Sequence, residues 1–113
     1  LAHTIGTYFA HEDITLILGV LGDKEVDAIV NRVCPLADTV ITTRPDNPRA
    51  MDPEELGQKA SIYNDKVIVE PDIIGAIQKG MDIATKQGLI LICGSLYLVG
   101  AARKYIKGMD KKK

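Results

Sequence analysis

The stretch ITLILGV, residues 14–20, decides the fold. It is apolar at nearly every position, shows no alternation with polar residues, and contains Gly19 close to its end. A short run of this kind is typical of a strand that is buried on both faces. Such strands occur in parallel sheets that carry helices on each side, so this one is expected to lie centrally.

Three further strand-like segments follow, spaced so that a helix fits between each pair: DTVITT (38–43), KVIVE (66–70) and LILIC (89–93). Helical spacing of apolar residues predicts helices between them, after the last strand, and over residues 1–10. The alternation predicts an α/β fold, a Rossmann-like open parallel sheet of about four strands with helices on both faces. The expected strand order places 38–43 and 66–70 on one side of the central strand and 89–93 on the other.

Two of the helices begin with recognisable capping residues. Asp52 precedes Pro53, which suits the first helical position, and Asp72 precedes the third helix. The sequence predicts that this third helix ends at Gly88. Its predicted apolar face consists of Ile73, Ile74, Ile77, Met81 and Ala84.

Composition excludes several classes of function. The chain has 113 residues, a formal net charge of −1 and no basic stripe, so a nucleic-acid partner is not expected. No apolar run approaches the roughly 20 residues that span a bilayer, so a membrane partner is not expected either. Cys34 and Cys93 match no metal-binding spacing and lie in apolar contexts, which favours buried reduced thiols in a cytoplasmic protein. Residues 108–113 are interpreted as a basic tail.

The topology brings three loops to one edge of the sheet, beginning with GVLGDK (19–24). This loop lacks the G-x-G-x-x-G spacing of dinucleotide-binding proteins and is not a P-loop. It is either a plain strand-to-helix turn with Lys24 in solvent, or a turn whose lysine and helix N-terminus face an anion.

The loop after the last strand, CGSLYL (93–98), is equally open to two interpretations. Ser95 is either a simple N-cap, or it combines with free backbone N–H groups to bind a carboxylate or phosphate. It does not lie in a G-x-S-x-G motif, and no histidine is placed to activate it, so a hydrolase triad is not expected.

The most unusual stretch is RPDNPR, residues 44–49. Two prolines fix its backbone, and Asp46 and Asn47 suit an Asx-type turn. Arg44 and Arg49 then place two planar guanidinium groups near each other, and arginine prefers bidentate pairing with carboxylate or phosphate. An ordinary surface turn would need neither arginine.

Together, GVLGDKEV, TRPDNPRAMDPEEL and GSLYLVGAARKYI resemble the C-terminal domain of folylpolyglutamate synthases and dihydrofolate synthases, in the Mur ligase superfamily. The resemblance covers nearly the whole chain and assigns this domain to residues 1–107. It implies an enzyme that uses ATP and Mg²⁺, bound mainly by another domain with a P-loop, to join glutamate to a folate of the dihydropteroate or tetrahydrofolate class.

The resemblance also implies roles for individual residues. Asp46, Asn47 and Arg49 correspond to the loop that recognises the incoming glutamate, and Gly94 and Ser95 to the other side of that pocket. Lys24 and Arg44 are candidates for contacts on the phosphate or nucleotide side. No residue of this chain is expected to be catalytic, to bind a metal or to hold a cofactor when the chain is isolated.

Two alternatives remain open from the sequence. The DNPR element also resembles the amino-acid loop of murein tripeptide ligases, and a non-catalytic α/β ligand-binding module would have the same strand pattern. The chain opens in helical register without a start methionine, just after the position of the family's Asp-x-Ala-His-Asn-Pro motif. We therefore expect a piece of a longer protein from which one strand of the sheet is missing.

Overall fold

The computed structural model describes residues 13–22, 25–84, 88–94 and 96–110, so the helix predicted over residues 1–10 lies outside the described residues. The elements alternate along the chain as the sequence predicts. They are β1 (Ile14–Gly19), α1 (Val26–Val33), a 3-10 turn (Cys34–Leu36), β2 (Thr39–Thr42), α2 (Pro53–Ala60), β3 (Val67–Val69), α3 (Ile73–Ile83), β4 (Leu89–Gly94) and α4 (Leu96–Asp110).

The four strands form one parallel sheet in the order β3-β2-β1-β4, which confirms the predicted fold class and strand order. In the register, Ile17 of β1 lies between Ile41 of β2 and Ile92 of β4. Because all strands run the same way, the loops that follow them lie at one edge of the sheet.

The core lies on both faces of the sheet. On one face, Leu16 and Leu18 of β1 pack with Val30 of α1 and Leu56 of α2. On the other, Ile17 packs with residues of α3 and α4, including Ala102. Alternate residues of β1 thus enter different cores, and this explains why its sequence is apolar without alternation.

The predicted caps of α2 and α3 are confirmed. The Asp52 carboxylate accepts a hydrogen bond from the amide of Glu54 at 3.3 Å, with Pro53 in the first turn. The Asp72 carboxylate accepts one from the amide of Gly75 at 2.9 Å. Each cap satisfies an N–H group that has no partner within its helix.

The predicted face of α3 is partly wrong. Ile77 is buried, but Ile74 and Met81 are 45% and 39% exposed. The face against the sheet is completed instead by Ala76 and Gly80. A Cβ atom added to Gly80 would lie 3.2 Å from Ile17 Cδ1, so small residues let the helix approach the bulky side chains of the sheet.

The predicted end of α3 at Gly88 is also wrong. The helix ends at Ile83, and Ala84 already has extended backbone angles, with φ −67° and ψ 138°. The Ala84 amide still donates to the carbonyl of Gly80 at 2.9 Å, so the chain leaves the helix immediately after its last regular hydrogen bond. The helix therefore ends before the chain reaches the glycine.

Both cysteines are buried, as the sequence predicts, and neither forms a disulfide bond. Burial, and secondarily the neighbouring Cys93, raises the pKa of the Cys34 thiol to about 11. On the surface, Lys59 of α2 forms a 2.9 Å ion pair with Asp27 of α1, and its hydrogen bond to Asp27 raises the Lys59 pKa. None of the described helices is long and apolar enough to cross a membrane.

Candidate functional site

The loop over residues 43–51 is held by its own backbone and one side chain. The Asn47 side-chain oxygen accepts a 2.8 Å hydrogen bond from the Arg49 amide, which makes Asn47 the residue of the Asx-type turn. The Asn47 amide donates to the carbonyl of Pro45 at 2.8 Å, and the Ala50 amide to the carbonyl of Asn47 at 2.9 Å. Proline and asparagine chemistry together give this loop one defined shape.

This loop folds onto the loop that follows β1. The amide of Gly22 donates to the carbonyl of Arg49 at 2.8 Å, and the amide of Met51 donates to the carbonyl of Val20 at 2.9 Å. Leu21 and Ala50 form an isolated antiparallel bridge between the same two segments. The loops after β1 and β2 therefore form one continuous layer at the edge of the sheet.

The side chain of Arg49 is exposed, and within the described part of the chain it forms no ion pair. Among the described residues, Arg49 is held through its backbone, by the bonds to Gly22 and Asn47. The loop thus fixes the position of the Arg49 backbone and leaves the guanidinium available for an anion.

The end of β4 meets the end of β1 through two glycines. Gly94 is paired with Gly19 in the parallel register and has φ +130°. A Cβ atom at Gly94 would lie 1.9 Å from the carbonyl oxygen of Gly19, so no other residue fits this position. The chain passes from here to Ser95, which, like Lys24, lies outside the described residues.

The end of β1 therefore has a neighbouring segment on each of two sides. The loop of Arg49 reaches it through Gly22, and the turn of β4 reaches it through Gly19 and Gly94. Glycines occupy the places of closest approach. This is the edge at which open α/β sheets bind ligands.

The other predicted residues of the loop line a separate groove of about 910 Å³ on the α3 and α4 side. Arg44, Asp46 and Asn47 belong to its lining, whereas Arg49 and Gly94 do not. The predicted residues therefore divide between two neighbouring places: the end of β1 and this groove, which we call the α3–α4 groove.

Sequence reasoning missed the contribution of the helices to the groove. Asp72, Lys104 and Tyr105 line it, together with apolar residues of α3 and α4. Asp72 was identifiable as a cap at the end of a strand, but Lys104 and Tyr105 lie mid-helix. Only the packing of α4 beside α3 brings them to the loop after β2.

A surface ion pair supports the floor of the groove. Glu70 and Lys79 lie 2.9 Å apart, and a second carboxylate oxygen of Glu70 accepts from the Asp72 amide at 3.2 Å. The hydrogen bond from Lys79, followed by that from the Asp72 amide, lowers the Glu70 pKa. Among the described residues, no group of three or more His, Cys, Asp or Glu side chains could hold a metal ion.

A parallel sheet with helices on both faces places the chain in the open α/β class, whose members bind ligands at the carboxyl edge of the sheet. Comparison with known proteins gives its family. Residues 1–96 match the family model described as "Mur ligase, glutamate ligase domain", and the chain belongs to this family.

Relatives from two bacteria are similar over most of the chain. The dihydrofolate synthase/folylpolyglutamate synthase of Mycobacterium tuberculosis is 30% identical over 91% of the chain and 24% of the relative. The protein of the same description from Bacillus subtilis is 29% identical over 95% of the chain and 24% of the relative. The chain thus spans about a quarter of the length of these relatives.

A solved structure gives the same correspondence in three dimensions. The Mycobacterium tuberculosis folylpolyglutamate synthase complexed with ADP and AMPPCP superposes with a TM-score of 0.75 and 32% identity. The match covers 86% of this chain and 24% of that structure. The family that the loop sequences resemble is therefore confirmed.

Proposed function

We propose that this chain is the C-terminal domain of an ATP-dependent folate–glutamate ligase of the folylpolyglutamate synthase/dihydrofolate synthase type. In this role it contacts the incoming glutamate and contributes to the nucleotide side of the active site. The observation that carries the proposal is that two segments approach the end of β1: the loop after β2 through the bond between Gly22 and Arg49, and the last residue of β4 through the contact of Gly94 with Gly19.

The chemistry of glutamate suits this arrangement. Arg49 offers a planar fork for a carboxylate, and its side chain has no ion-pair partner among the described residues. Asp46 lines the neighbouring α3–α4 groove, so it is not counted among the contacts to the amino acid at the end of β1. Gly94 and Ser95 would contact the amino acid from the β4 side, where backbone N–H groups at the start of α4 favour an anion.

The contribution of this domain to catalysis would be positioning. ATP, with Mg²⁺, supplies the phosphoryl group that activates the folate carboxylate, and both would be held mainly by a separate P-loop domain. This chain would align the glutamate amine with the activated carboxylate. Such alignment of two reactants can contribute roughly 7–11 kcal/mol to lowering a barrier.

This chain offers few residues that could contact the nucleotide. Arg44 lines the neighbouring α3–α4 groove, which leaves Lys24 as the candidate for a phosphate contact. Lys24 would act from the loop after β1. This residue alone would not be sufficient to bind ATP in the absence of a P-loop.

The proposal is tested with the complete ligase polypeptide that we propose contains this chain. ADP formation should require both glutamate and a folate of the dihydropteroate or tetrahydrofolate class. Activity that instead required a muramyl peptide and another amino acid would overturn the folate assignment and favour the murein-type alternative. Absence of any amino-acid-dependent ADP formation would favour a non-catalytic module.

A further inference from the structure

The α3–α4 groove is a second concave surface, beside the end of β1 but separate from it. Its walls are the loop over residues 44–48, the start of α3 and one side of α4. Arg49 and Gly94, which flank the end of β1, are not part of its lining. Its volume of about 910 Å³ lies within the range of small-molecule sites, roughly 300–1,000 Å³.

The groove is pre-formed because its loop and floor are tied together. The carbonyl of Pro71 accepts from the Thr43 hydroxyl at 3.2 Å and from the Arg44 amide at 3.3 Å. Pro45 of this loop is buried, and Pro48 fixes the backbone at its other end. Little conformational entropy would be lost when such a site orders around a ligand.

The lining combines apolar surface with charges. Ile73, Ile74 and Tyr105 supply apolar area, and Ile74 is 45% exposed although it is a large hydrophobic side chain. Tyr105 has its ring partly packed on the core and its hydroxyl 3.4 Å from Gln78 Nε2. An aromatic ring in the groove would cover apolar surface that water now contacts.

The lining carries as many carboxylates as cations. The cations are Arg44 on the loop and Lys104 on α4, and neither forms an ion pair within the described ranges. One carboxylate, Asp72, caps α3 through its bond to Gly75 and keeps its charge. Asp46 remains as an acceptor for an N–H group. The arrangement suits a carboxylate near the two cations and an N–H near Asp46.

We propose that the α3–α4 groove binds an aromatic amide that carries a carboxylate. The ring lies against Ile73, Ile74 and Tyr105, and the carboxylate lies between Arg44 and Lys104. The aryl-glutamate end of a folate belongs to this chemical class, so the inference extends the proposed function to a second contact for the same substrate and in that respect rests on it. Binding is measured without ligation, so the two proposals can fail separately.

The test uses the 113-residue chain and N-benzoyl-L-glutamate, followed by amide chemical shifts. Benzamide provides the ring alone and L-glutamate the carboxylates alone. N-benzoyl-L-glutamate should bind about tenfold more tightly than either and should shift the amides of residues 44–47 and 101–108. Shifts confined to Gly19, Gly22 and Arg49, or no saturation up to about 10 mM, would overturn the proposal.

A matched pair of glycine variants separates filling of the groove from other effects. A Cβ atom would meet nothing within 4 Å at either Gly108, which lines the groove, or Gly100, which does not. Gly108→Leu should abolish binding, whereas Gly100→Leu should preserve it. Both changes raise the helix propensity of α4 equally, so this effect cannot explain a difference between them. Equal binding by the two variants would place the ligand elsewhere.

Two further measurements complete the test. Lys104→Gln, at an exposed position, should weaken binding of N-benzoyl-L-glutamate by about tenfold and leave binding of benzamide unchanged. Sedimentation of the chain without ligand distinguishes another occupant. A dimer that Gly108→Leu disrupts would assign the groove to a second copy and overturn the small-molecule site.

Discussion

The amide of Gly22 donates a 2.8 Å hydrogen bond to the carbonyl of Arg49, which ties the loop after β1 to the loop after β2. This bond uses the backbone of Arg49 and leaves its side chain exposed. Together with the turn at Gly94, it arranges the end of the central strand as the floor of the proposed amino-acid site.

Gly94→Ala should destabilise the domain severely. The added Cβ would meet the Gly19 carbonyl oxygen at 1.9 Å, and φ is +130°. The backbone must move, at a cost of about 3 kcal/mol or more in the free energy of unfolding. Urea unfolding measures this, with Gly100→Ala as the control, since a Cβ there meets nothing within 4 Å. A loss below about 1 kcal/mol would show that β4 can move away from β1.

Thr42→Val should destabilise the fold although it preserves side-chain shape. The Thr42 hydroxyl is buried and donates to the carbonyl of Pro53 at 2.8 Å, which fixes the start of α2 to β2. Its removal leaves that carbonyl without this donor, at a cost of about 1–3 kcal/mol. Thr42→Ser keeps the hydroxyl and separates loss of the bond from loss of a methyl group. If Thr42→Val had the same free energy of unfolding as the unmodified protein, the hydrogen bond would make no net contribution to stability.

The Cys34 thiol should be unreactive toward thiol reagents at pH 8 in the folded protein and reactive in urea. Burial raises its folded-state pKa from 9.0 to about 11. In the unfolded protein this thiol ionises at a lower pH than in the folded protein. The contribution of Cys34 to the free energy of unfolding is therefore fully present below pH 9 and is lost as the pH rises toward 11. Reaction rates in a Cys93→Ala background measure Cys34 alone. Rapid native reaction at pH 8 would contradict the burial.

The isolated 113-residue chain should neither hydrolyse ATP nor ligate glutamate to a folate. Its sequence contains no P-loop, and its described residues contain no cluster of three metal-binding side chains. Coupled assays of ADP formation at high protein concentration measure this. Folate-dependent ligation by the purified chain would require catalytic groups that we have not identified.

Strands and caps could be predicted from the sequence because their signals are local. The apolar run of β1 reflects burial on two faces, and Asp52 and Asp72 cap the helices that follow them. The contact face of α3 could not be predicted by apolarity alone. Gly80 packs against Ile17 because the sheet already carries the large side chains, whereas the bulkier Ile74 lies at the surface.

One part of the candidate site could be predicted from the sequence and another part could not. The chemistry of the loop over residues 44–49 could be inferred because prolines, an Asx turn and two arginines are adjacent in sequence. The α3–α4 groove depends on Lys104 and Tyr105, which lie more than 50 positions from that loop. Neither residue has a local signal. Their role follows only from the packing of α4 beside α3 at the carboxyl edge of the sheet.

The most direct test of the central claim is the glutamate KM of Arg49→Ala in the complete ligase. Loss of one charge-assisted pair, worth about 1.5–3 kcal/mol, should raise the glutamate KM by roughly tenfold to 150-fold and change the ATP KM little. Arg49→Lys should recover only part of this, because lysine restores the charge without the planar fork. Arg32→Ala, at an exposed arginine near the end of α1, is the control and should leave both values unchanged. An unchanged glutamate KM in Arg49→Ala would contradict the assignment of this loop to the incoming amino acid.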